Sequence, residues 1–191
     1  MKIVFATNNI NKIKEVQSFI PSHILLVSLE SIGCHEEIPE TQNTIEGNAI
    51  QKATYIKERY GLDCFADDTG LEVNALSGAP GVYSARYAGN KRCSESNMDL
   101  LLTQLNAKKE RTARFKTVIA LYYQGELSTF KGICEGEITN VKNGSGGFGY
   151  DPIFKPLGYN KTFAELSLAT KNEIGHRGKA VKKLVNYLNR L

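Results

Sequence analysis

The sequence predicts a mixed α/β fold, and three observations predict it. Short apolar runs that read as strands alternate with stretches whose apolar residues recur at helical spacing. Polar or glycine-containing turns punctuate these runs. Between Ala113 and Glu137 the period changes to that of a hairpin.

Lys2 to Ala6 reads as a buried strand, with Ile3, Val4 and Phe5 in a row. It runs into Thr7-Asn8-Asn9-Ile10-Asn11-Lys12, side chains that favour turns and helix caps. Ile13, Val16, Phe19 and Ile20 follow at helical spacing, and Pro21 closes that element. Ile24 to Ser28 is a second strand. Thr44 to Tyr60 is a long helix with Ile45, Ala49, Ala53, Ile56 and Tyr60 on one side, ended by Gly61. Cys64-Phe65-Ala66 is a strand expected to terminate at Asp67-Asp68-Thr69-Gly70. A loop carrying Gly78, Pro80, Gly81 and Gly89 precedes a helix marked by Met98, Leu101, Leu102 and Leu105. Strands over Val118 to Tyr123 and Leu127 to Ile133 flank the turn Gln124-Gly125-Glu126. Asn143 to Tyr150 is glycine-rich, and Val181, Leu184, Val185 and Leu188 mark a C-terminal helix.

At 191 residues and 41% apolar content, the chain suits one domain, residues 1–191, with a real core. No apolar run is long enough to span a bilayer as a helix. The four cysteines, Cys34, Cys64, Cys93 and Cys134, form no CxxC pair or zinc spacing. With no signal-peptide pattern at Met1-Lys2-Ile3, they read as reduced thiols in a cytoplasmic protein. The net charge of +4 is modest and gathers at the end: Ala164 to Leu191 holds six Lys/Arg against two Asp/Glu. Such a patch suits an anionic small molecule at least as well as a polynucleotide, and a solvated helix face equally on charge alone.

The chemistry is written in four places. A strand-to-helix turn presents backbone N–H groups and a positive dipole end, which bind phosphate; Thr7, Asn9 and Lys12 add a hydroxyl, an amide and a point charge. The loop lacks GxxxxGK[ST], so it is not a Walker A site. Asp67 and Asp68 follow an apolar strand directly and cannot both point the same way in extended backbone. A carboxylate there, with Glu36, Glu37 or Glu40 as a second, suits Mg²⁺, a hard cation that takes oxygen donors and keeps several waters. Phe148 and Tyr150 stand among glycines, where backbone can approach a ligand closely and a ring can stack on a base. Arg177 begins the inward stripe continued by Val181 and Leu184. Its charge calls for a buried acceptor: a purine carbonyl, a phosphate, or an internal Asp or Glu. Arg86 invites the same readings.

Five segments in order carry a resemblance: Thr7 to Lys12, Phe65 to Leu71, Gly78 to Tyr87, Gly147 to Pro152 and His176-Arg177-Gly178. Together they resemble the inosine/xanthosine triphosphate pyrophosphatase family over essentially the whole chain. The resemblance implies a homodimeric, two-lobed α/β enzyme with a long central mixed sheet flanked by helices and the active site in the cleft between lobes. It implies hydrolysis of ITP, dITP and XTP to the monophosphate and pyrophosphate, with Mg²⁺ as cofactor and Mn²⁺ able to use the same carboxylates. Residue by residue, Thr7, Asn8, Asn9, Ile10, Asn11 and Lys12 would hold the phosphates, with Lys52 a further contact. Asp68 would be the catalytic acid/base and a metal ligand, Glu40 the other metal carboxylate, and Thr69 a substrate contact. Phe148, Gly149, Tyr150 and Asp151 would enclose the base, and Lys171, His176 and Arg177 would complete the pocket. The expected partner is a small-molecule nucleotide, with no membrane and no stable nucleic-acid partner. Asn8 stands where glycine is common in the family, and Gly175 replaces the serine that usually precedes His-Arg.

Overall fold

The computed structural model describes all residues, 1–191. Its strands are β1 (Lys2–Phe5), β2 (Leu25–Val27), β3 (Cys64–Val73), β4 (Pro80–Gly81), β5 (Thr112–Tyr123), β6 (Glu126–Ile138) and β7 (Phe154–Pro156). Its helices are α1 (Ile10–Gln17), α2 (Ile45–Tyr60), α3 (Ser94–Gln104), α4 (Leu168–Ile174) and α5 (His176–Leu188). The strands form one mixed sheet in the order β2-β1-β3-β5-β6-β7, with β4 paired to β3. β1 runs parallel to both β2 and β3, whereas β4 pairs antiparallel with β3 and β7 with β6. The expected α/β class with a mixed sheet flanked by helices is what the chain adopts.

Local chemistry accounts for the elements. α2 starts where the Thr44 side chain accepts the Gly47 N–H at 2.9 Å, and stops where Gly61 turns left-handed at φ 69°. Its buried stripe is Ile45, Asn48, Ala49, Lys52, Ala53 and Ile56, the expected apolar face with two polar residues set into it. The hairpin from β5 to β6 turns on Gln124 and Gly125, both at positive φ, as a two-residue primed turn requires.

Three expectations are corrected. β3 does not end at Asp67 but continues through Asp68, Thr69 and Gly70 to Val73. The carboxylates that suggested a turn are buried against cations, so extended backbone survives them. β5 and β6 extend beyond the expected strands, and the short elements β4, β7 and α4 had no period long enough to read.

The chain divides into two compact units. One comprises Met1–Asp68, Thr117–Gly132 and Arg177–Leu191; the other comprises Thr69–Lys116 and Ile133–His176. The first has a core of Ile3, Phe5, Val16, Phe65, Ile119 and Leu121, on which α5 lays Val181, Leu184 and Leu188. The second packs Leu71, Leu101, Leu105, Phe115, Phe154 and Phe163 among others. Each such side chain fully buried contributes about 1.5–3 kcal/mol.

Candidate active site

In the first unit the turn between β1 and α1 is capped from within. Asn9 Oδ1 accepts the N–H groups of Asn11 at 3.0 Å and Lys12 at 3.2 Å, and Thr7 Oγ1 accepts that of Asn9 at 3.2 Å. Asn8, Asn9, Ile10 and Asn11 are exposed. Lys12 leaves this exposed turn and reaches inward: its Nζ lies 2.9 Å from Asp67 Oδ1 and 3.3 Å from the Asp67 carbonyl.

From there a chain of alternating charges runs through the unit. Asp67, 1% exposed, also accepts from Arg177 Nε at 3.2 Å, and Arg177 Nη1 donates to Glu15. Of the acceptors Arg177 could have found, the fold supplies internal acids. Asp68 points the other way, as alternation along β3 demands. It accepts from Asn48 Nδ2 at 3.3 Å and lies 3.6 Å from Lys52 Nζ, which also bonds Glu40. The neighbouring acids therefore meet different cations.

Their acidities diverge accordingly. Burial would raise the Asp67 carboxyl, but Lys12, then Arg177 and Lys52, outweigh it and hold the group well below the ordinary 3.8. For Asp68 burial wins over the pull of Lys52 and Lys12, and Glu40 and Asp67 add repulsion, so its carboxyl lies above 3.8. Burial pushes the Lys12 ammonium down despite Asp67. Lys52 is raised: burial opposes its charge, but Asp68 and Glu40 prevail. A carbon-detected NMR titration without divalent cations will find Asp67 and Asp68 on opposite sides of 3.8; two carboxyls titrating together would contradict this geometry. The stability signs also differ. Asp67, depressed, contributes stability that is present above 3.8 and lost as pH falls through its folded value. Asp68, raised, carries a penalty present above its folded value and gone below 3.8.

No group of three or more His, Cys, Asp or Glu gathers at one point as a metal cage would. Glu40 and Asp68 nevertheless converge on a single ammonium, that of Lys52, with the Glu40 side chain partly open to solvent. Two carboxylates at one point fit a hard cation that keeps most of its waters.

In the second unit the glycine-rich loop before residues 151–153 is held by Asp151. Its Oδ2 accepts the Phe148 N–H at 2.8 Å and Lys171 Nζ at 2.5 Å, and the ammonium lies 4.8 Å from the Phe148 ring centroid. Tyr150 is buried, its hydroxyl donating to the Ser84 carbonyl at 2.8 Å. His176 stacks on Phe115 with centroids 4.5 Å apart. Thr69 is half-buried on β3, and Gly149 takes φ 64° with no atom within 4 Å of a built Cβ. Gly147, at φ 71°, is different: a Cβ there would fall inside the Asp151 carboxylate. Gly147→Ala will cost about 1–3 kcal/mol from the left-handed backbone alone and will detach Asp151 from Phe148 and Lys171. A denaturant midpoint equal to the wild type's would show that the loop does not depend on this contact.

The first unit thus gathers Thr7 to Lys12, Glu40, Lys52, Asp68 and Arg177; the second gathers Phe148 to Asp151, Lys171 and His176, with Thr69 beginning its share of β3. Sequence reading missed Glu15, Asn48 and the partners of Asp67. Asn48 carried a usable signal, being a polar residue on the apolar stripe of α2.

Residues 3–187 match the model of the Ham1 family. The chain is 60% identical over 188 residues to a dITP/XTP pyrophosphatase of Flavobacterium johnsoniae, covering 98% of each, and 49% identical to one of Porphyromonas gingivalis, covering 98% of this chain and 97% of that one. Among solved structures, a HAM1 protein from Coxiella burnetii superposes with a TM-score of 0.93 at 36% identity over the full length of both chains. The Ham1 protein of Staphylococcus aureus gives 0.91 at 39% identity, covering 99% of this chain and 98% of that one.

Proposed function

Since the chain belongs to the Ham1 family, we propose that it hydrolyses the non-canonical purine nucleotides ITP, dITP and XTP to the monophosphate and pyrophosphate, clearing them from the nucleotide pool. Relatives named dITP/XTP pyrophosphatase include one 60% identical over 98% of the chain. The observation that carries the mechanism is the pair of acid–cation clusters, Lys12 with Asp67 and Lys52 with Asp68 and Glu40, beside the Thr7–Lys12 turn.

The triphosphate is an array of negative charge, and Lys12 and Lys52 supply fixed positive charge against it, with the α1 end and Thr7 adding donors. Lys52 also keeps Glu40 and Asp68 from repelling one another. Hydrolysis joins a water oxygen to the α-phosphorus and breaks the bond to the oxygen bridging the β-phosphorus; pyrophosphate leaves with the electron pair. The water's proton goes to Asp68, which faces Asn48 and Lys52, rather than to Asp67, which Lys12 and Arg177 hold. Glu40 and Asp68 would hold Mg²⁺, or Mn²⁺ in its place, which when bound neutralises developing phosphate charge. Phe148 offers a stacking face, with Gly149, Tyr150, Asp151, Lys171 and His176 shaping its surroundings and Thr69 a further substrate contact. An arginine donor accepts a 6-oxo purine and rejects adenine, whose 6-amino group would set donor against donor. Arg177, which bonds Asp67 and Glu15 through Nε and Nη1, would take this role only through a donor beyond those two bonds. The enzyme would act as a homodimer in the cytoplasm, as the family resemblance implies. Separately, no helix is long and apolar enough to cross a membrane.

Pyrophosphate release from ITP, XTP, ATP and GTP, with Mg²⁺ and then with EDTA, tests this. Fast, EDTA-sensitive release from ITP and XTP with little from ATP and GTP is expected. Equal turnover of all four would remove Arg177 from base reading, and no release from any would overturn the reading altogether.

A further inference from the structure

Helix α2 addresses the segment that carries Glu40 one residue at a time. Lys52 bonds the Glu40 carboxylate. The Gln51 carboxamide grips Thr41 twice: Oε1 accepts its N–H at 2.9 Å and Nε2 donates to its Oγ1 at 2.8 Å. Asn48 Oδ1 accepts the Gln42 N–H at 2.9 Å. Positions 48, 51 and 52 share one helix face, so three successive loop residues are read by one turn of α2. Asn48 does more than its neighbours. Its Nδ2 donates to Asp68 Oδ2 at 3.3 Å, and the side chain is buried at 1% exposure. A single amide therefore spans the two segments that bear Glu40 and Asp68.

The orientation of that amide is forced. Turned over, it would aim its NH₂ at the Gln42 N–H and its carbonyl at a carboxylate, two repulsions in place of two bonds. Asp68 is fixed in turn: Oδ2 faces Asn48 and Oδ1 faces Lys52. We infer that Asn48, seconded by Gln51, is a positioning residue that sets the spacing and orientation of the Glu40–Asp68 carboxylate pair. The inference rests on the pyrophosphatase reading for its consequence in catalysis, but its geometry stands on α2 and β3 alone. A purely structural Asn48 would stabilise the loop and leave the function of the carboxylates untouched.

The test uses the full chain and the variants Asn48→Ala, Asn48→Asp and Gln51→Ala. Mn²⁺ affinity of the nucleotide-free protein is read by EPR titration, kcat and KM for ITP by pyrophosphate release, and Tm by calorimetry. Asn48→Ala is expected to weaken Mn²⁺ binding and to lower kcat, each by about 10- to 100-fold, the range for a partner that orients a metal carboxylate. KM for ITP should move by less than about twofold, since no substrate contact is removed. Asn48→Asp, which sets a carboxylate against Asp68, should be at least as damaging. Gln51→Ala, on the half-buried rim, should show a smaller loss in the same two quantities, and it decides the matter if Asn48→Ala does not fold. Wild-type Mn²⁺ affinity and kcat with only a lowered Tm would overturn the inference. A wild-type chain that turns over none of the nucleotides would instead sink the functional reading, while the Mn²⁺ titration still decides Asn48.

Discussion

Asp68→Asn will reduce pyrophosphate release from ITP by roughly three orders of magnitude, within the span that positioned proton acceptors supply, while leaving the fold intact. The substitution removes a charge and a proton-accepting oxygen but keeps the shape of the side chain. Its structural cost is small because burial already opposes the ionised form of Asp68. Lys52 keeps Glu40 as a partner when Asp68 becomes neutral, so no buried ammonium is stranded. The expected pattern is therefore lost turnover with a melting temperature at or slightly above that of the wild type. Asp67→Asn should invert that pattern. It removes the acid that bridges Lys12 and Arg177, so stability falls, whereas Asp68 remains to take the proton. A near-normal rate in Asp68→Asn would remove this residue from the chemistry and transfer the role to another acid.

Which parts of this arrangement were legible beforehand follows from the range of the forces involved. The apolar face of α2 and its caps at Thr44 and Gly61 are local, and periodicity with capping chemistry finds them. The extent of β3 is not local. Asp67-Asp68-Thr69-Gly70 has the composition of a turn, and it remains strand because Asp67 is neutralised by Lys12, 55 residues away, and by Arg177, 110 residues away. No window centred on the strand contains either partner. The candidate site divides in the same way. Lys12, Asp68 and the Phe148–Asp151 stretch stood out by residue type and by their place at the ends of elements. Glu15 did not, since on α1 it resembles an ordinary surface acid beside Lys14, and only the approach of Arg177 makes it a buried counter-charge. Asn48 lies between these cases: its place on a buried stripe was readable, but its two partners were not.

Arg177→Ala should be the most destabilising of the single substitutions considered, by about 3–5 kcal/mol, the usual cost of removing one member of a buried ion pair. Arg177 is 3% exposed and donates to both Asp67 and Glu15, themselves 1% and 6% exposed. Without it Glu15 loses its guanidinium partner, and Asp67 keeps Lys12 but loses the second of its close cations. The pH dependence follows from the depressed acidity of Asp67. In the wild type its stabilising contribution is complete above the ordinary value of 3.8 and is lost as pH falls through the folded value. Removing Arg177 takes away part of that depression, so the gap between wild type and variant should be full at neutral pH and should narrow on acidification, as both chains protonate the same acids. Arg177→Lys should recover only part of the loss, because an ammonium restores the charge but not the planar fork that meets two carboxylates at once. Urea denaturation of the three proteins at neutral pH and below 3.8 measures these differences. A gap that does not narrow in acid would mean that Arg177 stabilises the fold by packing rather than by pairing. A neutral-pH gap under about 1 kcal/mol, the value of an exposed pair, would mean that water reaches Asp67 and Glu15 once the guanidinium is gone. The ITP-to-ATP ratio measured on Arg177→Lys then separates base reading from stability, since that variant keeps enough of the network to fold.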